Sequence, residues 1–132
     1  MRKTTYLCKN LKQMDITKRI LEEKFKEYNS LYFNNKLTKP KFFFLNDKRN
    51  YGRILLGSRN GKMPTEIWIS KMLNVNEEIL KDTLIHEMIH QYVYERLYGL
   101  KYQLITHGIK FRYVCWKLNR KYKIKIEPTS LF

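Results

Sequence analysis

Apolar residues recur at spacings of three and four along two long stretches of the chain, which is the periodicity of one helical face. The first stretch starts at Asp15 or Thr17, either of which can cap a helix, and stops at Asn34-Asn35 ahead of Pro40. We therefore predict an N-terminal helix with its apolar face turned towards a core.

The second stretch starts at an Asn cap, Asn74 or Asn76, and ends near Tyr98 with Gly99 as the C-cap. Its apolar residues would bury much of the helix. A third helix is predicted to open at His107 and to continue through apolar positions at helical spacing.

Three short runs between the first two helices are typical of strands. Residues 41–45 are apolar on both faces, which predicts a central strand, and residues 53–56 and 65–70 follow. The last two are joined by Asn60-Gly61, a hairpin signal that predicts antiparallel pairing. A short final strand or an extended tail is predicted at 124–126. The class is α+β, with a small, mainly antiparallel sheet of three to four strands.

The composition indicates one globular domain. The 132 residues are 43% hydrophobic and 14% aromatic, which excludes a disordered chain. We assign a basic arm to 1–14 and the domain to 15–132, with a monomer as the default. No apolar run is long enough to span a membrane or serve as a signal peptide, so an intracellular location, cytoplasm or nucleoid, is expected.

The second helix contains His86-Glu87-x-x-His90. Residues four apart share a helical face, so the two imidazoles can hold one zinc ion. Glu87 lies about 100° around the helix, where its carboxylate can take a proton from zinc-bound water without being a ligand. The alternative is an amphipathic helix with incidental histidines, but such apolar flanks seldom surround unpaired ionisable groups.

A catalytic zinc uses three protein ligands and an open position, so a third ligand is needed. The acidic residues after His90 are Glu95 and Glu127. Glu95 is about 140° away on the same helix and faces elsewhere, and Glu127 precedes a proline in the tail. His107 is the remaining histidine of the chain. We predict that zinc is held by His86, His90 and His107, with Glu87 as the catalytic base.

The pattern H-E-M-I-H-Q followed by H-G-x-x-F resembles the SprT-like (Spartan-type) zinc metalloproteases. The resemblance runs from about Asp15 to Lys121, and further matching positions are Tyr28–Pro40, Gly52 and Ile67-x-Ile69-Ser70. It implies a zincin-like fold, in which the active-site helix packs on the sheet beside a C-terminal helix. It also implies a zinc endopeptidase acting on proteins bound or crosslinked to DNA, as in DNA–protein crosslink repair. The cysteine-based zinc ribbon of many bacterial members and the partner-binding tail of animal Spartan are not matched in this sequence.

The net charge of +15 agrees with a polyanionic partner. No acidic residue occurs between Glu95 and Glu127. A solvated basic face is the alternative, but clustered cations favour non-specific contacts with DNA phosphates. The candidate DNA-contacting residues are Lys110, Arg112, Lys117, Arg120, Lys121, Lys123 and Lys125.

Two other functions stay open at this point. The first is a non-catalytic DNA-binding module with a structural zinc, in which Cys8 or Cys115 would be the fourth ligand. The second is a metalloprotease with no connection to DNA. Trp68 and Trp116 are expected in the core or half-buried, with no functional role.

Overall fold

The computed structural model describes residues 16–58, 62–71, 76–98 and 109–126. Within these ranges the chain forms three α-helices and a three-stranded sheet, so the predicted α+β class is confirmed. The predicted arm at 1–14 and the Asn60-Gly61 turn lie outside the described residues. The assignment of a single domain to 15–132 stays a prediction.

Helix α1 spans Lys18–Phe33 and begins and ends where local chemistry predicts. The side chain of Thr17 accepts a hydrogen bond from the backbone N–H of Ile20 and so caps the first turn. Asn34 adopts the left-handed conformation at φ 53°, which closes the helix at its C-terminus. The apolar face of α1 is buried at Leu21, Phe25 and Tyr28, as the helical periodicity predicted, but Leu31, which belongs to the same predicted face, is 50% exposed.

The sheet consists of β1 (Lys41–Leu45), β2 (Gly52–Leu55) and β3 (Glu66–Ser70), in the order β1-β3-β2. β2 and β3 pair antiparallel, as predicted, whereas β1 and β3 pair parallel. The sheet is therefore mixed, with one pair of each kind. β3 occupies the centre, and this agrees with the complete burial of its Ile67, Ile69 and Ser70.

The prediction that β1 is the central strand was wrong, because β1 lies at an edge. Phe43 and Phe44 are half-buried. The ring of Phe43 stacks on Trp68 of β3 at 4.8 Å, and a lysine side chain lies over each of the two phenylalanine rings. Lys18 Nζ lies 5.0 Å from the centroid of Phe43, and Lys71 Nζ lies 4.2 Å from that of Phe44. An edge strand with such cover can be apolar on both faces.

Helix α2 spans Glu77–Tyr92 and continues into a π-helical turn, Val93–Tyr98. Asn76 caps it by accepting a hydrogen bond from the backbone N–H of Ile79 at 2.8 Å, as predicted. The sequence showed no signal for the π-helical turn, and the predicted C-cap Gly99 lies outside the described residues.

Helix α3 spans Ile109–Tyr122. Its buried face consists of Phe111, Val114, Cys115 and Leu118. Residues 123–126 after it form no strand, and Lys123 there adopts a left-handed φ of 56°. Asn119 holds this segment in place. The Asn119 side chain donates to the carbonyl of Ile126 at 3.0 Å and accepts from its N–H at 2.8 Å.

The expectation for the two tryptophans was half right. Trp68 is half-buried on β3, but Trp116 is 54% exposed on the outer face of α3. Trp116 lies two residues after buried Val114, which rotates it by about 200° to the outside of the helix.

Among the described helices, none combines the length and the apolarity that crossing a bilayer requires.

Candidate active site

Helix α2 is buried over a continuous run. All residues from Thr83 to Gln91 are buried, because the helix contacts α1, β2 and α3. A helix that is apolar nearly all round packs in this way. The run nevertheless includes the ionisable side chains His86, Glu87 and His90, each at most 2% exposed. Such groups are stable inside a protein when something pairs with them.

The rings of His86 and His90 approach each other beside α2. Their Nε2 atoms are 3.2 Å apart, and their ring centroids are 4.9 Å apart at an interplanar angle of 75°. Two nitrogens bound to one tetrahedral zinc, with bonds of about 2.0–2.1 Å, would be about 3.3–3.4 Å apart. The separation of the two imidazole nitrogens therefore matches two ligands of one zinc ion.

Phe111 of α3 packs against both imidazoles. Its ring centroid lies 5.1 Å from that of His86 and 4.4 Å from that of His90, and its side chain is fully buried. This contact limits ring rotation and keeps water from that side of the pair. The Phe of the H-G-x-x-F pattern thus holds the imidazoles in place. The His of the same pattern, His107, lies outside the described residues.

Glu87 is a buried carboxyl group. It is 1% exposed, and its Oε2 atom has no hydrogen-bond partner among the described residues. Burial disfavours the charged form and raises the pKa of Glu87 to about 8. A buried oxygen in this condition indicates a functional group whose partner is a ligand or substrate.

Gly52 of β2 lets the sheet approach α2 closely at Glu87. A Cβ atom on Gly52 would lie 2.7 Å from Cγ2 of Thr83 and 3.4 Å from Oε2 of Glu87. The first distance is shorter than real Cβ contacts allow. The family resemblance had singled out Gly52, and its role in the structure is to leave room for this helix–strand contact.

A hydrogen-bonded cluster that sequence reasoning missed ties the end of α2 to the chain after α1. The side-chain nitrogen of Gln91 donates to the Thr38 carbonyl at 2.7 Å and to Glu95 at 2.9 Å. The Thr38 hydroxyl and backbone N–H both donate to Glu95, at 2.6 and 3.2 Å. Glu95 is therefore engaged away from the imidazoles, in agreement with its rejection as a metal ligand.

Gln91 and Glu95 are four residues apart on one helical face, and this was the available signal for their contact. Their partner Thr38 is distant in sequence and could not be identified from that spacing.

The described donor atoms, the imidazole nitrogens of His86 and His90, fit a zinc ion. Two imidazole nitrogens have tetrahedral spacing, and a buried carboxyl group is next to them in the helix. No group of three potential metal ligands occurs within the described ranges. The predicted set has two members there, His86 and His90, and its third member His107 falls in the gap between 98 and 109.

Cys115, named as a ligand for a structural zinc, is engaged elsewhere. Its Sγ donates to the carbonyl oxygen of Ile126 at 2.9 Å. The thiol therefore helps to hold residues 123–126 against α3. Cys8, the other cysteine considered, lies outside the described residues.

The seven basic candidates for DNA contact are all exposed on α3 and the segment after it. They are Lys110, Arg112, Lys117, Arg120, Lys121, Lys123 and Lys125. Exposure is what phosphate contacts require. Their binding to DNA stays a prediction.

Comparison with protein families gives a match to the model of the SprT-like family over residues 21–130. The matched region includes α2 with its two histidines, and α3 with Phe111. A comparison with curated proteins gives no match.

Proposed function

Because the chain belongs to the SprT-like family, we propose that it is a zinc-dependent endopeptidase that cleaves proteins bound or crosslinked to DNA. The observation that carries the proposal is the 3.2 Å approach of the His86 and His90 Nε2 atoms next to the buried carboxyl group of Glu87. Zinc held by His86, His90 and His107 would act as a Lewis acid on the scissile carbonyl and make water more acidic.

His107 is within reach of such a site by chain length. It precedes Phe111 by four residues, and four residues of chain can span up to about 14 Å. Phe111 itself contacts both imidazoles. This short connection supports His107 as the third ligand.

Glu87 has the properties of a general base that later acts as an acid. It accepts a proton from the attacking water and returns it to the leaving amine. Burial alone raises the pKa of Glu87 to about 8, and the positive charge of a zinc ion on His86 and His90 would lower that pKa and favour the carboxylate form that accepts the proton. The unpartnered Oε2 provides the oxygen that would meet the water.

The substrate would bind along β2. This strand lies at the edge of the sheet and contacts α2, which carries the histidines. An extended peptide can add to an edge strand through backbone hydrogen bonds, which orient a peptide bond whatever its side chains are. Gly52 would place that bond near Glu87, because a Cβ atom on Gly52 would lie only 3.4 Å from Oε2 of the carboxyl group.

The connection to DNA is supported by charge. The chain carries +15, and α3 contains no acidic residue. Cations held along one helix attract phosphates without sequence preference. A protein bound to that DNA would be kept at high local concentration next to the active site.

The test is cleavage of a small protein crosslinked to an oligonucleotide, compared with the same protein free and without DNA. We expect zinc-dependent fragments, formed faster from the crosslinked substrate. Glu87→Gln should abolish cleavage, whereas Glu22→Gln, a control at an exposed carboxylate of α1, should not. Cleavage by Glu87→Gln at the wild-type rate would refute the proposed protease activity of this site. Equal rates of cleavage with and without DNA would identify a metalloprotease unrelated to DNA.

A further inference from the structure

The outer face of α3 presents two large aromatic side chains to solvent. Tyr113 is 53% and Trp116 is 54% exposed, and their ring centroids are 6.3 Å apart at an angle of 31°. Large aromatic rings are usually buried for most of their area, so two neighbouring exposed rings indicate a binding surface. The Glu87 mechanism uses neither ring.

Cations lie next to both rings. Lys117 Nζ is 5.8 Å from the ring centroid of Tyr113, and the Arg120 guanidinium is 5.4 Å from that of Trp116. The ion pairs between described residues use Arg19 and Lys24 as cations, so neither Lys117 nor Arg120 is neutralised in them. The face therefore offers flat apolar rings and positive charge together.

A cavity of about 200 Å³ adjoins this face and shares Tyr113 and Lys117 with it. It lies between the end of α1, the end of α2 and α3. None of the described residues that line it is acidic. Besides Tyr113 and Lys117, its lining includes the aromatic rings of Tyr32 and Tyr92 and the cationic side chains of Lys36 and Lys121.

We propose that Tyr113, Trp116, Lys117 and Arg120, with the adjoining cavity, bind single-stranded DNA. Unpaired bases stack on the two rings, and the cations contact the phosphates. A duplex hides its base faces within the stack, so the exposed rings add nothing to duplex binding. This inference rests on the proposed function, because it names the form of DNA that the protease engages.

The position of the surface suits that role. The inner face of α3 places Phe111 against the imidazoles, and Trp116 lies five residues further along the same helix, a rise of about 7.5 Å. A protein attached to a strand on the outer face would therefore be close to the active site.

The test is fluorescence anisotropy with labelled oligothymidine and a matched duplex at two salt concentrations. The combined change Tyr113→Ala and Trp116→Ala should weaken oligothymidine binding at least about tenfold and leave duplex binding unchanged. Lys117→Ala with Arg120→Ala should weaken both and reduce the salt dependence. Leu31→Ala, at a 50% exposed apolar residue of α1, is the matched control and should have no effect.

A second measurement reports stacking directly. In a Trp68→Phe background, Trp116 is the remaining tryptophan, and oligothymidine should quench its fluorescence. Unchanged oligothymidine affinity in the aromatic double variant, or an equal loss for duplex, would overturn the proposal. So would a dimer that Trp116→Ala dissociates without any effect on oligothymidine binding.

These binding assays are independent of cleavage. A protein that binds oligothymidine through Trp116 but cleaves nothing would refute the proposed protease function and leave the proposed DNA-binding surface standing. A protein that cleaves normally but binds without the two rings would refute the inference alone.

Discussion

Replacing Gly52 with alanine tests the close contact between β2 and α2. The new Cβ would lie 2.7 Å from Cγ2 of Thr83 and 3.3 Å from the carbonyl oxygen of Trp68. Thr83 is 2% exposed and β-branched, so its methyl group cannot rotate away, and the Trp68 oxygen belongs to the backbone. The strand must therefore move away from the helix.

Overpacking of this kind costs about 1–3 kcal/mol. Alanine also lowers the entropy of the unfolded chain relative to glycine, which offsets about 0.4–1 kcal/mol. We expect Gly52→Ala to lower the free energy of unfolding by about 1–2 kcal/mol, measured by urea denaturation with tryptophan fluorescence. Its kcat/KM should fall as well, because β2 and Glu87 change their relative positions.

A double-mutant cycle isolates the contact. Thr83→Ser removes the Cγ2 methyl group and alone costs about 1 kcal/mol. Combined with Gly52→Ala it should cost less than the sum of the two single changes, by about 1 kcal/mol. Additivity within about 0.3–0.5 kcal/mol would refute the contact as the cause of the loss.

Three further predictions concern stability. Hydrogen bonds from Arg49 and Asn50 lower the pKa of Asp47 below its usual 3.8, so the ionised carboxylate stabilises the fold above that pH. The wild type should therefore exceed Asp47→Asn in free energy of unfolding at about pH 6, and the difference should shrink when urea denaturation is repeated down to about pH 3. A difference that stays constant with pH would contradict this prediction. Zinc at about 100 times its Kd should add about 2.7 kcal/mol to the free energy of unfolding and raise Tm by roughly 10 °C in scanning fluorimetry. His90→Ala should abolish this rise in Tm, and an undiminished rise would show that zinc binds elsewhere. Asn119→Ala should lower the free energy of unfolding, measured in urea, by about 1–2 kcal/mol, because two hydrogen bonds to Ile126 are lost. A variant as stable as the wild type would contradict this prediction.

The helices could be predicted because their signals are local. Thr17 and Asn76 cap through contacts three residues away, and the apolar positions repeat within each helix. The exposure of Trp116 could also have been predicted from the sequence, because Phe111, Val114 and Leu118 define the buried face of α3 and Trp116 lies outside it.

The order of the strands could not be predicted in the same way. The apolar run of β1 suggested a central strand, but Lys18 and Lys71 lie over the rings of Phe43 and Phe44, and no local pattern assigns these lysines to them. The link from Gln91 to Thr38 likewise joins residues 53 positions apart. Such contacts depend on the whole fold.

For the active site, the H-E-x-x-H spacing predicted which imidazoles would share a helical face. Their burial and the contact with Phe111 came from the packing of α3 on α2. The helical period alone does not determine that packing.

The most direct test of the central claim measures zinc content and peptide cleavage on the same samples. We predict one zinc per chain and full cleavage for the wild type, and one zinc but no cleavage for Glu87→Gln. His86→Ala and His107→Ala should lose both the metal and the activity. Cleavage retained by Glu87→Gln, or zinc retained at wild-type affinity by His86→Ala, would contradict the account.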